Sequence, residues 1–283
     1  MKKIIHFSDV HIGYEGMYER FRAVINHLAM IKQPAGNYVV LITGDIVDEA
    51  SDQSYDLAKE CLDKLTGHKY HVLIVPGNHD YGSGNCADKK WVTKFKKCFF
   101  GDQNISYPKL DIIDEMAFIG LDSMAKELGT VDRLLANGEL GTVQLKKLDD
   151  ILNTKKRKDC QKTIIYLHHH PMDPIPLHEL KDAKKLAAIL SKYVRKDDKK
   201  KGIDAVLFGH LHLGKKSNGW CDIQRVYDAG ATTMKDGSPG FHRVIDLDLP
   251  PVYDYDADCH GEYASVTRLP LLKTFLELLG SRK

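Results

Sequence analysis

Residues 38–48 read Tyr-Val-Val-Leu-Ile-Thr-Gly-Asp-Ile-Val-Asp (YVVLITGDIVD). A short, unbroken, β-branched apolar run stops at a glycine and two carboxylates. Such a run reads as a strand buried on both faces. The same pattern lies on either side of it. Residues 3–11 (KIIHFSDVH) run from a strand over Lys3–Ser8 into Asp9 and His11. Residues 71–80 (HVLIVPGNHD) run from a strand over His71–Val75 into Asn78, His79 and Asp80. Between these strands, Phe21, Val24, Ile25, Leu28 and Ile31 recur at helical spacing across Tyr18–Ile31, and Tyr55–Leu65 reads as a second helix. Strand, helix, strand, helix, strand is an α/β pattern, with strands buried between helical layers.

The second half continues it. Gly82–Tyr107 is irregular, and residues 80–108 are expected as an insertion over the active-site edge. Ile112–Leu121 reads as a hairpin broken at Asp114 and Glu115. Gly141–Leu152 is a helix with Leu145, Leu148, Ile151 and Leu152 on one face. Thr163–Leu167 is a strand, Ala183–Tyr193 a helix and Ala205–Phe208 a strand, with Val226–Ala229 and Arg243–Leu247 as closing strands. Arg195–Lys201 (RKDDKKK) reads as a solvated helix end. There is no internal repeat, so residues 1–283 are expected to form one domain. Residues 250–283 would be a C-terminal extension. Its leucine-rich part, Leu269–Leu279, would either cover the core or pair two subunits into a homodimer.

Composition narrows the function. The net charge of +2, from 41 Lys and Arg against 39 Asp and Glu, argues against a surface that coats nucleic acid. No run approaches the roughly 20 apolar residues that cross a bilayer. The opening apolar stretch fails at His6 and Asp9, too early for a signal peptide, so a cytoplasmic location is expected. The six cysteines form no CxxC pair and lie away from the histidine clusters. They read as reduced structural thiols. Histidine is the informative excess: of 14, five cluster as His168, His169, His170 and His210, His212. Neutral imidazole is a common ligand of transition metals.

Five strands thus end in groups that bind metals: Asp9-Val10-His11, Gly44–Asp48, Gly77–Asp80, His168–His170 before Pro171, and Gly209–His212. In open α/β sheets ligand sites lie beyond the carboxyl ends of strands, so the five would converge. Asp and His with an Asn amide oxygen suit manganese, iron or zinc. On extended chain, Asp9 and His11 would point the same way, as would His210 and His212. The glycines at 44, 77 and 209 would let the chain turn sharply. Each cluster alone has a plainer explanation. Asp45 or Asp48 could cap a helix, and a Gly-Asn pair could form a turn. All five, in order and each after an apolar run, are better explained by one site.

Together these motifs resemble the signature of the calcineurin-like metallophosphoesterases. The match spans Asp9 to His212, with similar features to about Leu247. Gly138–Leu148 (GELGTVQLKKL) also resembles a segment of the bacterial branch near cyclic-nucleotide phosphodiesterases and purple acid phosphatases. The resemblance implies a four-layer α-β-β-α sandwich with two mixed β-sheets. It implies two metal ions, the first held by Asp9, His11, Asp45 and His212. The second would be held by Asp45, Asn78, His169 and His210, with Asp45 bridging. His169 is the ligand implied for the triplet because it precedes the proline by two. His168 and His170 would face the other way on extended chain. His79 would stand near the leaving group, oriented by Asp48.

Two departures separate the chain from the protein serine/threonine phosphatases of this superfamily. They follow the second aspartate of GDxxD with Arg-Gly, where this chain has Glu49-Ala50. They also carry GNHE, where this chain has Asp80. The expected activity is therefore hydrolysis of a small phosphodiester, of cyclic-nucleotide or glycerophosphodiester type, by water activated between the two ions. Phosphomonoester hydrolysis is an alternative. A DNA-repair-type nuclease is another, since HFSDVHIG and GNHD also resemble that branch, though the near-neutral charge disfavours a nucleic-acid partner. A metal-free binding scaffold is disfavoured because all seven ligand positions are filled.

Overall fold

The computed structural model describes residues 1–30, 35–84, 87–125, 137–172, 180–194, 202–217, 219–233 and 241–258. Arg195–Lys201, the 269–279 stretch and most of the 250–283 extension lie outside them. In chain order the elements begin β1 (Lys3–Phe7), α1 (Met17–Met30), β2 (Tyr38–Ile42), α2 (Asp52–Gly67), β3 (His71–Ile74) and α3 (Lys89–Phe100). Next come β4 (Lys109–Ile113), β5 (Met116–Gly120), α4 (Thr142–Asn153), α5 (Lys155–Lys158), β6 (Lys162–Tyr166) and α6 (Ala183–Leu190). Five strands close the order: β7 (Ala205–Phe208), β8 (Lys216–Ser217), β9 (Arg225–Asp228), β10 (Phe241–Ile245) and β11 (Tyr255–Asp258).

The strands form two sheets, ordered β11-β10-β1-β2-β3 and β4-β5-β6-β7-β9-β8. Both are mixed. In the first, β1, β2 and β3 are parallel, and β10 and β11 close the edge antiparallel. In the second, β5, β6, β7 and β9 are parallel, with β4 and β8 antiparallel at the edges. The buried runs explain the layering. Ile4, Val39, Leu41 and Leu73 of the first sheet meet Phe118, Ile164, Tyr166 and Leu207 of the second in one core. Their sequence neighbours Ile5, Val40 and Ile42 face out onto Phe21, Ile25 and Leu28 of α1 and Tyr55 of α2. Ile165, Leu167 and Val206 face out onto Leu145 and Leu148 of α4 and Leu186 of α6. Strands covered on both faces need apolar residues at every position, which is why they read as unbroken runs. The result is the expected four-layer α-β-β-α sandwich.

Four elements, α3, α5, β8 and β11, were not in the sequence reading. The stretch expected as irregular contains α3, capped by Asp88, whose carboxylate accepts from Lys90 N at 2.8 Å. Its Phe95 is fully buried against Tyr55 and Tyr81. Lysines at 89, 90, 94, 96 and 97 mask this narrow apolar stripe. Strands β8 and β11 are short and polar, without the alternation that marks a strand. Strand β11 also makes residues 255–258 part of the first sheet. No described helix is long and apolar enough to cross a membrane.

Candidate metal centre

The loops after β1, β2, β3, β6 and β7 all leave the carboxyl ends of parallel strands, so they meet along one edge of the sandwich. The first two run side by side. Val10 N and His11 N donate to Asp45 O at 2.8 and 3.0 Å, and Ile12 N donates to Ile46 O at 2.9 Å. Val10, Ile12, Ile46 and Val47 are fully buried, which anchors the polar residues between them. These segments are not extended. Asp9, His11, Asp45, His210 and His212 all have positive φ, from 50° to 78°. Left-handed backbone costs a non-glycine residue roughly 1–2 kcal/mol, and such strain concentrates at functional sites. Of the three glycines, Gly44 does turn the chain, with φ 91°. Gly77 serves another purpose, because a Cβ there would overlap the Asp45 carboxylate.

The side chains converge in three groups whose ligand atoms lie within 4.8 Å of one another. These are Asp9, His11 and His212; His11, Asp45 and His79; and Asp45, His168 and His210. Asp9 and Asp45 are almost wholly buried. His212 Nε2 lies 3.3 Å from Asp9 Oδ1 and 3.2 Å from His11 Nε2. His210 N donates to both Asp9 oxygens, at 3.0 and 3.2 Å. His168 Nε2 lies 3.3 Å from Asp45 Oδ2, 2.9 Å from Asn78 Oδ1 and 3.2 Å from His210 Nδ1. Of the seven implied ligands, six therefore sit at the cluster.

The seventh is placed differently. The histidine whose ring nitrogen reaches Asp45 and Asn78 is His168. His169 lies behind it, its ring centroid 4.5 Å from that of His210, with Nδ1 2.8 Å from Ser123 Oγ and its ring against Gly138. The reason lies in strand β6. Ile164 and Tyr166 face the space between the sheets, whereas Ile165 and Leu167 face the outer helices. Carrying that alternation forward sends residue 168 toward the first sheet and residue 169 toward α4. Counting back from Pro171 gave the opposite parity. His170 meets Phe208 edge to face, with ring centroids 4.5 Å apart.

The expected pairing of His79 with Asp48 also changes in form. His79 Nδ1 lies 2.5 Å from the Asp48 main-chain oxygen and 3.9 Å from its carboxylate. The carboxylate instead lies 3.0 Å from His11 Nδ1. His79 N donates to Asp45 Oδ1 at 2.9 Å.

Several supporting groups were not expected. Asp80, fully buried, accepts from Ile46 N and Val47 N at 3.0 and 3.1 Å and from Gly77 N at 2.9 Å. It ties the loop after β2 to the loop after β3. Burial, and then the neighbouring Asp45, push its carboxyl up to about 8. Thr43 O lies 2.7 Å from His168 Nδ1. A carbonyl only accepts, so Nδ1 carries the proton and Nε2 is left for the cluster. Thr233 Oγ1 donates to Val10 O at 2.6 Å, and Thr232 N donates to Ser8 O at 2.9 Å, bracing the β1 loop. The Asp in GNHD was the one visible signal among these. Support by main-chain oxygens leaves no mark in a sequence.

The electrostatics suit cations. Burial alone would raise Asp45, but His168 and then His79 outweigh it and hold the carboxyl well below its usual range. Burial would likewise raise Asp9, and His212 outweighs it. Burial would lower His168, yet Asp45 and then Asp9 push it up to about 9. Two buried carboxylates thus draw positive charge inward. Here protonated imidazole supplies it, and metal ions could do so in the same place. The donors are carboxylate, imidazole and amide, with no thiolate, a set that fits hard to borderline divalent ions.

A two-sheet sandwich with a buried Asp and His cluster at its strand ends is a scaffold that could hold metal ions. Residues 2–214 match the calcineurin-like phosphoesterase family, and the chain belongs to it. It is similar to a probable cyclic nucleotide phosphodiesterase of Coxiella burnetii, 27% identical over 213 residues, covering 74% of this chain and 75% of that one. It is also similar to a probable glycerophosphodiester phosphodiesterase of Arcobacter nitrofigilis, 27% identical over 223 residues, covering 74% and 71%. In fold it is similar to a dimetal phosphatase of Danio rerio, with TM-score 0.62 and 13% identity, covering 90% of this chain and 98% of that one.

Proposed function

We propose that the chain hydrolyses a small phosphodiester, of cyclic-nucleotide or glycerophosphodiester type, with two metal ions bound at the cluster. One ion would be held by Asp9, His11, Asp45 and His212, the other by Asp45, Asn78, His168 and His210. Manganese, iron or zinc suits these donors. When bound, such a pair supplies Lewis acidity to the phosphate and lowers the pKa of the attacking water to roughly 7. The carrying observation is that Asp45 belongs to two of the three converging groups, and so stands where a bridging carboxylate would.

The chain's own residues do the rest. Asp48 holds two imidazoles at once, His11 through its carboxylate and His79 through its main-chain oxygen. With Nδ1–H of His79 committed to that oxygen, Nε2 is the atom that can hold a proton for the leaving alkoxide. Asp80 keeps the Gly77–His79 loop against Asp45, and the partial burial of His79 limits water there. Cys61, Cys98 and Cys221 are thiols outside any disulfide among the described residues, which supports work in a reducing compartment such as the cytoplasm.

The test is hydrolysis by the metal-loaded full chain of an aryl diester and an alkyl diester. His79→Ala should keep both metals and slow the alkyl diester by about 10²-fold, with a much smaller effect on the aryl diester. Equal slowing would remove the proton-holding role. No hydrolysis of any diester by the metal-loaded native chain would overturn the reading.

A further inference from the structure

A cavity of about 440 Å³ opens beside the cluster, lined among others by Tyr14, Tyr18, Glu19, Asp48, Glu49 and Gln53. It shares Asp48 with the centre, and Gly13 on its wall follows His11 by two residues. Asp48, which meets both His11 and His79, is the link between cavity and cluster, and an alcohol esterified to a phosphate at the cluster would enter this space by passing it. The wall is pinned. Asp48 N donates to Ile12 O at 2.9 Å and Ala50 N to Gly82 O at 2.7 Å, so Glu49 is fixed between two anchored residues. Tyr18 is held by its hydroxyl, which donates to Glu60 at 3.0 Å. Tyr14 is 48% exposed and offers a ring face.

The charges on this wall have one sign. No lysine or arginine lines the cavity among the described residues, whereas three carboxylates do. Glu19 and Glu49 form no ion pair among the described residues. The Arg22 guanidinium lies over the Tyr18 ring at 5.2 Å, outside the lining. A second phosphate in the cavity would meet like charge and, among the described residues that line it, no counter-charge.

Resting on the phosphodiesterase reading, we infer that this cavity receives one alcohol of the diester, and that Glu19 and Glu49 restrict it to alcohols without negative charge. Nucleosides, glycerol and amino alcohols fit that class. Substrates whose second group is a further phosphate do not. Rejection of the wrong partner by like charge is a common route to specificity.

Two diesters of matched size test it: p-nitrophenyl 3-(methylsulfonyl)propyl phosphate, neutral in the alcohol, and p-nitrophenyl 3-sulfopropyl phosphate, anionic there. Loss of each diester is followed by phosphorus NMR at low ionic strength, so cleavage of either ester bond counts. The native metal-loaded chain should favour the sulfone in kcat/KM by about tenfold, as two nearby charges in a watery cavity allow. Glu19→Gln with Glu49→Gln should bring the ratio to within about twofold, and Glu49→Lys should reverse it. Both glutamates are exposed, so folding is not at stake in these changes. A native ratio near one, or a ratio unmoved by the double substitution, would overturn the inference and leave the phosphodiesterase reading standing. Failure to hydrolyse either diester would overturn both.

Discussion

The centre has two walls, and they are supported in different ways. The wall from the first sheet carries Asp9, His11, Asp45, Asn78 and His79. Its loops bond to one another through Val10 N, His11 N and Ile12 N, and Asp80 clips the third loop onto the second. The wall from the second sheet carries His168, His210 and His212, and it leans on the first. His168 is held by Thr43 O and His210 by Asp9. The loop after His212 is held from behind by fully buried Arg243. This side chain donates to Gly214 O and Asp228 O at 2.8 and 2.7 Å and pairs with Asp256 at 2.6 Å. The first wall is held mainly by its own loops, with Thr232 and Thr233 bracing β1 from outside it, and the second is registered against the first. Damage to the first should therefore reach both metal positions, and damage to the second should stay local.

Asp45→Asn is the strongest way to break that comparison. The substitution keeps the size and removes the charge that faces His168, His79 and His11. Both metals should be lost, and turnover of an aryl diester should fall by roughly 10³-fold or more. Metal content by mass spectrometry, with turnover alongside, measures it. One metal retained at native affinity would mean that the walls are independent.

The next largest effect separates neighbours on the second wall. His168→Gln should weaken metal binding by roughly 10²-fold at one position, as loss of a ligand or its close support does. His169→Gln should leave metal affinity near native and cost about 1–3 kcal/mol of stability, through the broken contact with Ser123. Calorimetric metal titration and thermal unfolding read the two effects separately. The opposite pattern would restore His169 to the centre.

These pairs also mark how far the sequence could be read. The core strands and their polar ends were legible because strands covered on both faces leave unbroken apolar runs, and each run stops where the chemistry begins. The helix over Lys89–Phe100 was not, because lysines surround its single stripe. The second sheet was inferred from family resemblance, since pairing between distant strands has no local period. Convergence of Asp9 and His11 was expected from extended chain, yet both have left-handed backbone. That bend is imposed by bonds to Asp45 O, which lies 34 or more residues away in sequence. The choice between His168 and His169 was within reach. The alternation had only to be counted forward from Ile164 and Tyr166 rather than back from the proline.

A milder change sharpens the idea of an externally held wall. Arg243→Lys keeps the charge but loses the fork that reaches three main-chain oxygens and Asp256 together. Affinity at the position that uses His212 should fall by about tenfold, in the range seen for groups that orient ligands. The position that uses His168 should change little, since Thr43 still holds that ring. A two-site metal titration decides it. Equal weakening of both positions would show that Arg243 supports the whole fold rather than one wall.

The smallest step per measurement comes from pH, and it probes the contact where the walls meet. Without metal, Asp45 and then Asp9 push the His168 imidazole up to about 9 against the effect of burial. A metal must expel that proton, so apparent affinity should rise about tenfold per pH unit between roughly 6.5 and 9 and then level off. Asp45 and Asp9 are held below their usual range and release no proton in this window. The metal-free fold should show the converse. A histidine whose pKa is raised on folding stabilises the fold fully below its unfolded value near 6.5, and that contribution disappears as pH climbs through 9. The melting temperature of the metal-free chain should therefore fall across this interval, and that of the metal-loaded chain should fall less. Asp80, pushed up to about 8 by burial and then Asp45, adds a fall of its own below that value in both states, so the contribution of His168 is the difference between them. His169 faces Ser123 rather than a carboxylate, so a centre built on it would give no such difference. Equal falls with and without metal would mean that the second wall does not meet the first through His168 and Asp45.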